Sequence, residues 1–301
     1  MSSSSYDVGS GLPSGVVEGP KFQVSHRTRF DYAEAVRENV NVLHLEPPRF
    51  PLQRTLQAFI RVLPATRLRR FEDLFGNPTH QFEIQGEHCS LEVHSTIRIQ
   101  NLVLSVPASS RSAILSFYDD PEVKEMVWPF LQDSVYVAYH PEIWRKAVDL
   151  TEGLPSVYEM SLAIMRWVHD EFSYVSGSTA ANTHLNEVFE LRHGVCQDFT
   201  HVMLGMCRSV GVPARYASGY LYNGPSDTLV GAQASHAWAE VYFPEVGWVG
   251  FDPTNNTLAD ARYIKVAVGK DYDDVAPVRG NYIGTGNCRM EVRVEVSKLD
   301  L

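Results

Sequence analysis

Hydrophobic and polar positions divide the chain near residue 105. From about Phe22 to Gln100 the apolar residues recur with period two in short runs bounded by Pro, Gly or Asn. In SLEVHSTIRIQ, from Ser90, Leu91, Val93, Ser95 and Ile97 alternate with Glu92, His94 and Thr96, the mark of a strand with one buried face. FQVSHRTRFDY, ENVNVLHLEPP, TLQAFIRVLPA and HQFEIQG read the same way, and Gly76, Asn77 and Pro78 punctuate a turn. Strands at this spacing predict an antiparallel β-sandwich over residues 21–104. VPASSRSA is polar and opens a predicted linker over 105–125. The period then changes to that of helices. PEIWRKAVDLTEGL begins with Pro141 and Glu142, suited to a first turn, and PSVYEMSLAIMRWVHDEF sets Met160, Ile164, Trp167, Val168 and Phe172 near one face. CQDFTHVMLGMCRSVG carries an apolar stripe through Phe199, Val202, Met203, Met206 and Val210, and Gly211 with Pro213 ends it. Strands return in ARYASGYLY, HAWAEVYF, GWVGFDP, YIKVAVG and CRMEVRVEV. Residues 126–301 are therefore expected to form one α+β domain, and residues 1–20, rich in Ser and Gly, a disordered leader.

Composition narrows the function. At 301 residues the chain can bury a large core. Its 26 basic and 36 acidic residues, a formal charge of −10, argue against sequence-independent nucleic-acid binding. No apolar run reaches the length of a membrane span, and no signal-peptide pattern is visible, so a cytoplasmic protein is expected. Four cysteines without a CxxC pair read as reduced thiols.

The chemistry concentrates in HGVCQDFTH, residues 193–201. Cys196 falls in the first turn of a predicted helix, where unpaired N–H groups and the dipole favour a thiolate and could also hold an oxyanion. Taken alone, such a cysteine is often a small buried hydrophobe, as Cys207 within the apolar stripe is expected to be. His193 and His201 flank Cys196, but a zinc-like ligand set is missing, and His201 reads as a helix-surface or packing residue. A nucleophile needs a base, and the base an orienter. His236 begins one strand and Asp252 ends the next. If Phe243 pairs with Gly247, Asp252 falls opposite Trp238, on the same face as His236 and within side-chain reach; a one-residue slip would separate them.

GVCQDFTH, GVPARYASGYL and SHAWAEVYFPEVGWVGFDPTNN together resemble the bacterial transglutaminase-like proteins, members of the papain-like cysteine protease superfamily. The region before Ser105 resembles the β-rich domain joined to them. The resemblance implies Cys196 as nucleophile, His236 as general base and acid, and Asp252 as its orienter. It also implies a second oxyanion donor upstream, for which Tyr174 is the candidate and Trp167 the alternative. The expected reaction is acyl transfer through a thioester on peptide or protein substrates, with hydrolysis by a peptidase or amidase ahead of cross-linking by a transglutaminase-type acyltransferase. A non-catalytic protein-binding module is the remaining alternative. No cofactor is implied. Calcium would need a DxDxDG-like loop, which is absent, and Asp271, Asp273 and Asp274 read as a solvated acidic loop. The stretch from Lys270 to Gly280 is a candidate cover for the site. Oligomeric state leaves no signal.

Overall fold

A computed structural model describes residues 15–105, 107–224, 229–231 and 234–299. In chain order the elements are β1 (Val17–Leu43), β2 (Gln53–Leu63), β3 (Arg69–Glu72), β4 (Pro78–Ile84), β5 (His88–Val103), α1 (Ala108–Arg111), α2 (Pro121–Val127), α3 (Pro141–Thr151) and α4 (Val157–Glu171). Then come β6 (Ser173–Tyr174), α5 (Leu185–Leu191), β7 (His193–Gly194), α6 (Cys196–Ser209), β8 (Ala214–Leu221), β9 (His236–Phe243), β10 (Gly247–Asp252), β11 (Thr257–Leu258), β12 (Tyr263–Gly269), β13 (Val278–Ile283) and β14 (Cys288–Leu299). The fold is α+β, an antiparallel β-rich region followed by a helix-and-sheet core.

The β-rich unit is organised by β1. FQVSHRTRFDY and ENVNVLHLEPP, which read as two runs, are largely one strand of 27 residues. Register shifts between Asp31 and Val36 and between Arg37 and Val40, with Glu38 at positive φ, bend it. Bulges of this kind turn a strand without ending it. Its first half pairs with β5 and β14, its second with β4 and β13. The bend folds the two halves over a shared cluster that includes Leu43, Val62, Phe82, Leu91 and Val93.

Three boundaries differ from the sequence expectation. The helix-and-sheet core does not run to the C-terminus: β13 and β14 leave it and pair with β1, from Arg37↔Ile283 to Lys21↔Leu299. The alternation of CRMEVRVEV marks a strand but does not reveal its partner, which lies some 270 residues away. The expected linker at 105–125 is packed. Ser110 is buried and donates to the Pro244 carbonyl at 2.7 Å, and the Tyr118 hydroxyl donates to that of Tyr242 at 2.7 Å. The polar residues that suggested a linker serve there as donors. Of the expected leader, residues 1–14 lie outside the described residues, whereas Val17 to Pro20 already belong to β1, with Val17 opposite Val103.

The core unit has a five-stranded antiparallel sheet in the order β11-β10-β9-β8-β12. Ala237, Ala239, Val241 and Phe243 on one face of β9 join Val202, Met203 and Met206 of α6 and Ile164 and Val168 of α4 in the main core. α6 is buried along nearly its whole length, so it is a central helix, which fixes its start firmly. The other sheet face carries Trp238 and Tyr263 and meets the β-rich unit through Phe50 and Phe75. Among the described residues no helix is long and apolar enough to cross a membrane.

Candidate active site

The start of α6 is built by two short elements. β6 and β7 pair in parallel, with Tyr174 opposite Gly194, and carry the chain to Cys196, the first helical residue. Asp198 locks this turn from within. Its Oδ2 accepts the Val195 N–H at 2.8 Å and the Thr179 hydroxyl at 2.6 Å. Gly194 is required here, because a Cβ at that position would stand 2.5 Å from the same oxygen. Cys196 retains 9% exposure, and its backbone N–H belongs to the helix turn that lacks internal partners.

His236 and Asp252 reach each other across the β9–β10 hairpin. Phe243 pairs with Gly247 and Ala239 with Phe251, the register that carries Asp252 to the face of His236 and Trp238. His236 Nε2 donates to Asp252 Oδ2 at 2.7 Å, and both side chains are fully buried. The carboxylate is saturated. Oδ2 also accepts from Asn255 Nδ2 at 2.8 Å and the Tyr263 hydroxyl at 2.7 Å, and Oδ1 accepts the N–H groups of Thr254 at 2.8 Å and Asn255 at 3.2 Å. Burial opposes charge on the imidazole, but the Asp252 charge, its hydrogen bond and the neighbouring Cys196 outweigh it and raise the His236 pKa to about 10. For Asp252, burial is likewise overcome by His236, Asn255 and Tyr263, and the pKa stays below the usual carboxylate value.

This pair therefore stands as an ion pair at neutral pH. A folded-state pKa raised from 6.5 to about 10 gives stability that is complete below about pH 6.5 and is lost as pH rises through 10. Melting temperatures of the wild type are expected to fall across that window, and those of His236→Gln to fall less; equal slopes would contradict the ion pair.

His236 Nδ1, the nitrogen not bound to Asp252, is buried and has no hydrogen-bond partner among the described residues. Cys196 is the thiol whose charge His236 feels. Gly231, at φ +89°, passes over the ring so closely that a Cβ would lie 2.6 Å from Nδ1. Gly231→Ala combines that clash with a strained backbone. It is expected to slow iodoacetamide labelling of Cys196 about tenfold or more while melting within a few degrees of the wild type; labelling at the wild-type rate would show that the loop moves aside freely.

Tyr174, 38% exposed, is near enough to Cys196 and Asp198 that, after burial, their charges help raise its pKa to about 12. Trp167 is occupied elsewhere, against Phe172, Phe189 and the Arg192 guanidinium. His201 is fully buried, not on the surface. Burial lowers its pKa to about 3, it accepts the Tyr272 N–H at 3.2 Å, and it stacks on Tyr136. The acidic loop is not solvated throughout. Asp271 is buried, and its carboxylate accepts the N–H groups of Tyr136 at 2.7 Å and Asp273 at 2.9 Å. From this loop, Tyr272 comes close enough for Cys196 to contribute to its raised pKa, after burial and Tyr136. Among the described residues no group of three His, Cys, Asp or Glu could hold a metal. Asn255, Tyr263 and Gly231 were not singled out by the sequence. Asn255 alone left a trace, in the turn-forming DPTNN that follows the strand.

A solved chain from Cytophaga hutchinsonii, provisionally assigned as a cysteine protease, shares the fold with a TM-score of 0.77 at 22% identity, covering 95% of this chain and 93% of that one. The transglutaminase-like superfamily profile matches residues 145–253, and that of the bacterial transglutaminase-like N-terminal region matches residues 22–100. An uncharacterized protein of Mycobacterium leprae is 30% identical over 295 residues, covering 93% of this chain and 99% of that protein. Another from Mycobacterium tuberculosis is 32% identical over 305 residues, covering 92% of each. A protein-glutamine gamma-glutamyltransferase of Pseudomonas aeruginosa is 33% identical over 97 residues, 30% of this chain and 14% of that protein. The chain belongs to the transglutaminase-like superfamily, with the bacterial N-terminal region attached.

Proposed function

We propose that this chain is a cysteine peptidase or amidase working through Cys196, His236 and Asp252. The observation that carries the reading is the buried 2.7 Å pair of His236 and Asp252 on the hairpin beside Cys196. His236, protonated against Asp252, already holds on Nδ1 the proton that Cys196 has given up, and the Cys196 thiolate attacks the amide carbon of a peptide or protein substrate. The oxyanion is held by the Cys196 N–H and the Tyr174 hydroxyl. The C–N bond breaks as His236 returns the proton to the departing amine, leaving a thioester on Cys196. Water, deprotonated by His236, then adds to the thioester, and the C–S bond breaks. Asp252 keeps Nε2 protonated and the ring oriented throughout. No cofactor takes part. Four free thiols, with Cys89 and Cys288 exposed, suit a reducing cytoplasmic setting.

A second reading, transfer of the acyl group to an amine, is favoured by the local similarity to the Pseudomonas gamma-glutamyltransferase. Both begin with the same thioester, so the acceptor decides between them. Incubating the protein with a peptide library and a glutamine-containing protein, with and without a primary amine, separates them. New peptide termini independent of amine support hydrolysis; amine incorporation without cleavage supports transfer. Neither product, from protein whose Cys196 also fails to form a covalent adduct with a peptide electrophile, would overturn both.

A further inference from the structure

The open edge of the core sheet is finished by side chains of the β-rich unit. Among the described residues β12 has β8 as its strand neighbour and none on its other side. There, Gln53 accepts from the Lys265 N–H at 2.8 Å and donates to the Lys265 carbonyl at 2.7 Å. Asn77 does the same for Val268, at 2.9 and 2.7 Å. Asn101 donates to the carbonyls of Ala261 at 2.8 Å and Tyr263 at 2.9 Å. A primary amide offers a donor and an acceptor side by side, as a peptide group does, so Gln53 and Asn77 each stand in for a residue of a missing strand. The register shift between Lys265 and Ala267 sets the outward-facing positions three apart instead of two, and the amides follow that spacing. All three are buried in the interface.

β12 also carries Tyr263. Its hydroxyl donates to Asp252 Oδ2, the oxygen that orients His236, and its ring lies 6.0 Å from that of His236 and 5.3 Å from that of Trp238. Burial and the Asp252 charge raise the Tyr263 pKa, so the hydroxyl remains a donor. We propose that the β-rich unit is a positioning part of the catalytic centre, acting through Asn101 on the Tyr263 backbone and through the Tyr263 hydroxyl on Asp252. Tyr263 and Asn101 are positioning residues, neither of which touches the reacting atoms. The inference rests on the triad reading above.

The test uses full-length protein and iodoacetamide, with labelling of Cys196, Cys89 and Cys288 followed separately by mass mapping across pH. Tyr263→Phe keeps the ring and removes only the hydroxyl. It is expected to slow Cys196 labelling about threefold to tenfold, and to move the low-pH limb of the profile upward because Asp252 has lost a donor that stabilises its charge. Asn101→Ala is expected to act in the same direction, and the double variant to lose no more than about the larger single loss, as residues in one pathway do. Wild-type labelling in Tyr263→Phe overturns the proposal by itself, whatever Asn101→Ala does to folding. Effects of the two variants that multiply in the double also overturn it. If wild-type Cys196 labels no faster than Cys89 and Cys288, and His236→Ala changes nothing, the triad reading falls and this inference with it. Fast wild-type labelling that is untouched by either variant removes the inference alone.

Discussion

On any peptide amide that the wild type cleaves, Cys196→Ala and His236→Ala are each expected to lower kcat by about 10³-fold or more, with little change in KM. The reason is the shared role: without the sulfur there is no thioester, and without the imidazole the sulfur keeps its proton and the leaving amine receives none. Groups that act as a unit are not additive, so the double variant should be no worse than either single one. Asp252 ranks lower. Asp252→Asn leaves one acceptor oxygen where the carboxylate used two, so either His236 Nε2 or the Thr254 and Asn255 N–H groups then face an NH2 donor, and it removes the charge that raises the His236 pKa. An intermediate loss of about 10–10²-fold is expected, with the high-pH limb of the rate profile moved downward. A His236→Ala variant that keeps a tenth of the wild-type kcat would contradict the assigned role.

The second large effect concerns folding. A chain starting at Ser105, which retains the whole family-matched core, is expected to be insoluble or to lack a cooperative melt. It would leave β13 and β14 without their partner β1. It would expose Tyr220, Ile264 and Val266, which pack on Phe22, Val24, Ile97 and Ile99, and break the buried bond of His26 to the Tyr220 hydroxyl at 2.7 Å. The outward groups of β12, with the Ala261 carbonyl just before it, would lose six hydrogen bonds from Gln53, Asn77 and Asn101. Exposed apolar strands and a bare sheet edge favour aggregation. Solubility, circular dichroism and thermal melts check this. A soluble core that melts cooperatively and labels at Cys196 at the wild-type rate would mean that the β-rich unit is an appended module.

What could be read from the sequence was local. Cys196 was legible because a thiol just after Gly194, at the start of an apolar helical stripe, is a recognisable setting, and the hairpin register followed from one turn between Phe243 and Gly247. The strands were legible from alternation. What was hidden depends on contacts distant in sequence. The continuity of β1 is masked because its bulges interrupt the alternation, and the partner of β14 lies at the opposite end of the chain. Tyr263 is one tyrosine among 14, and nothing near it in sequence marks the carboxylate it holds. The acidic run at Asp271 looked solvated because charge suggests water, but Asp271 is buried and hydrogen-bonded to two backbone N–H groups.

The pH dependence of Cys196 alkylation by iodoacetamide, in the wild type and in His236→Ala, tests the central assignment most directly. An ordinary thiol labels slowly near pH 6 and speeds up as pH approaches about 8.5. Wild-type Cys196 is expected to label rapidly at about pH 6–7, ahead of Cys89 and Cys288, and His236→Ala to slow it to the level of those two thiols. A wild-type profile that matches those two thiols and does not change in His236→Ala would contradict the assignment.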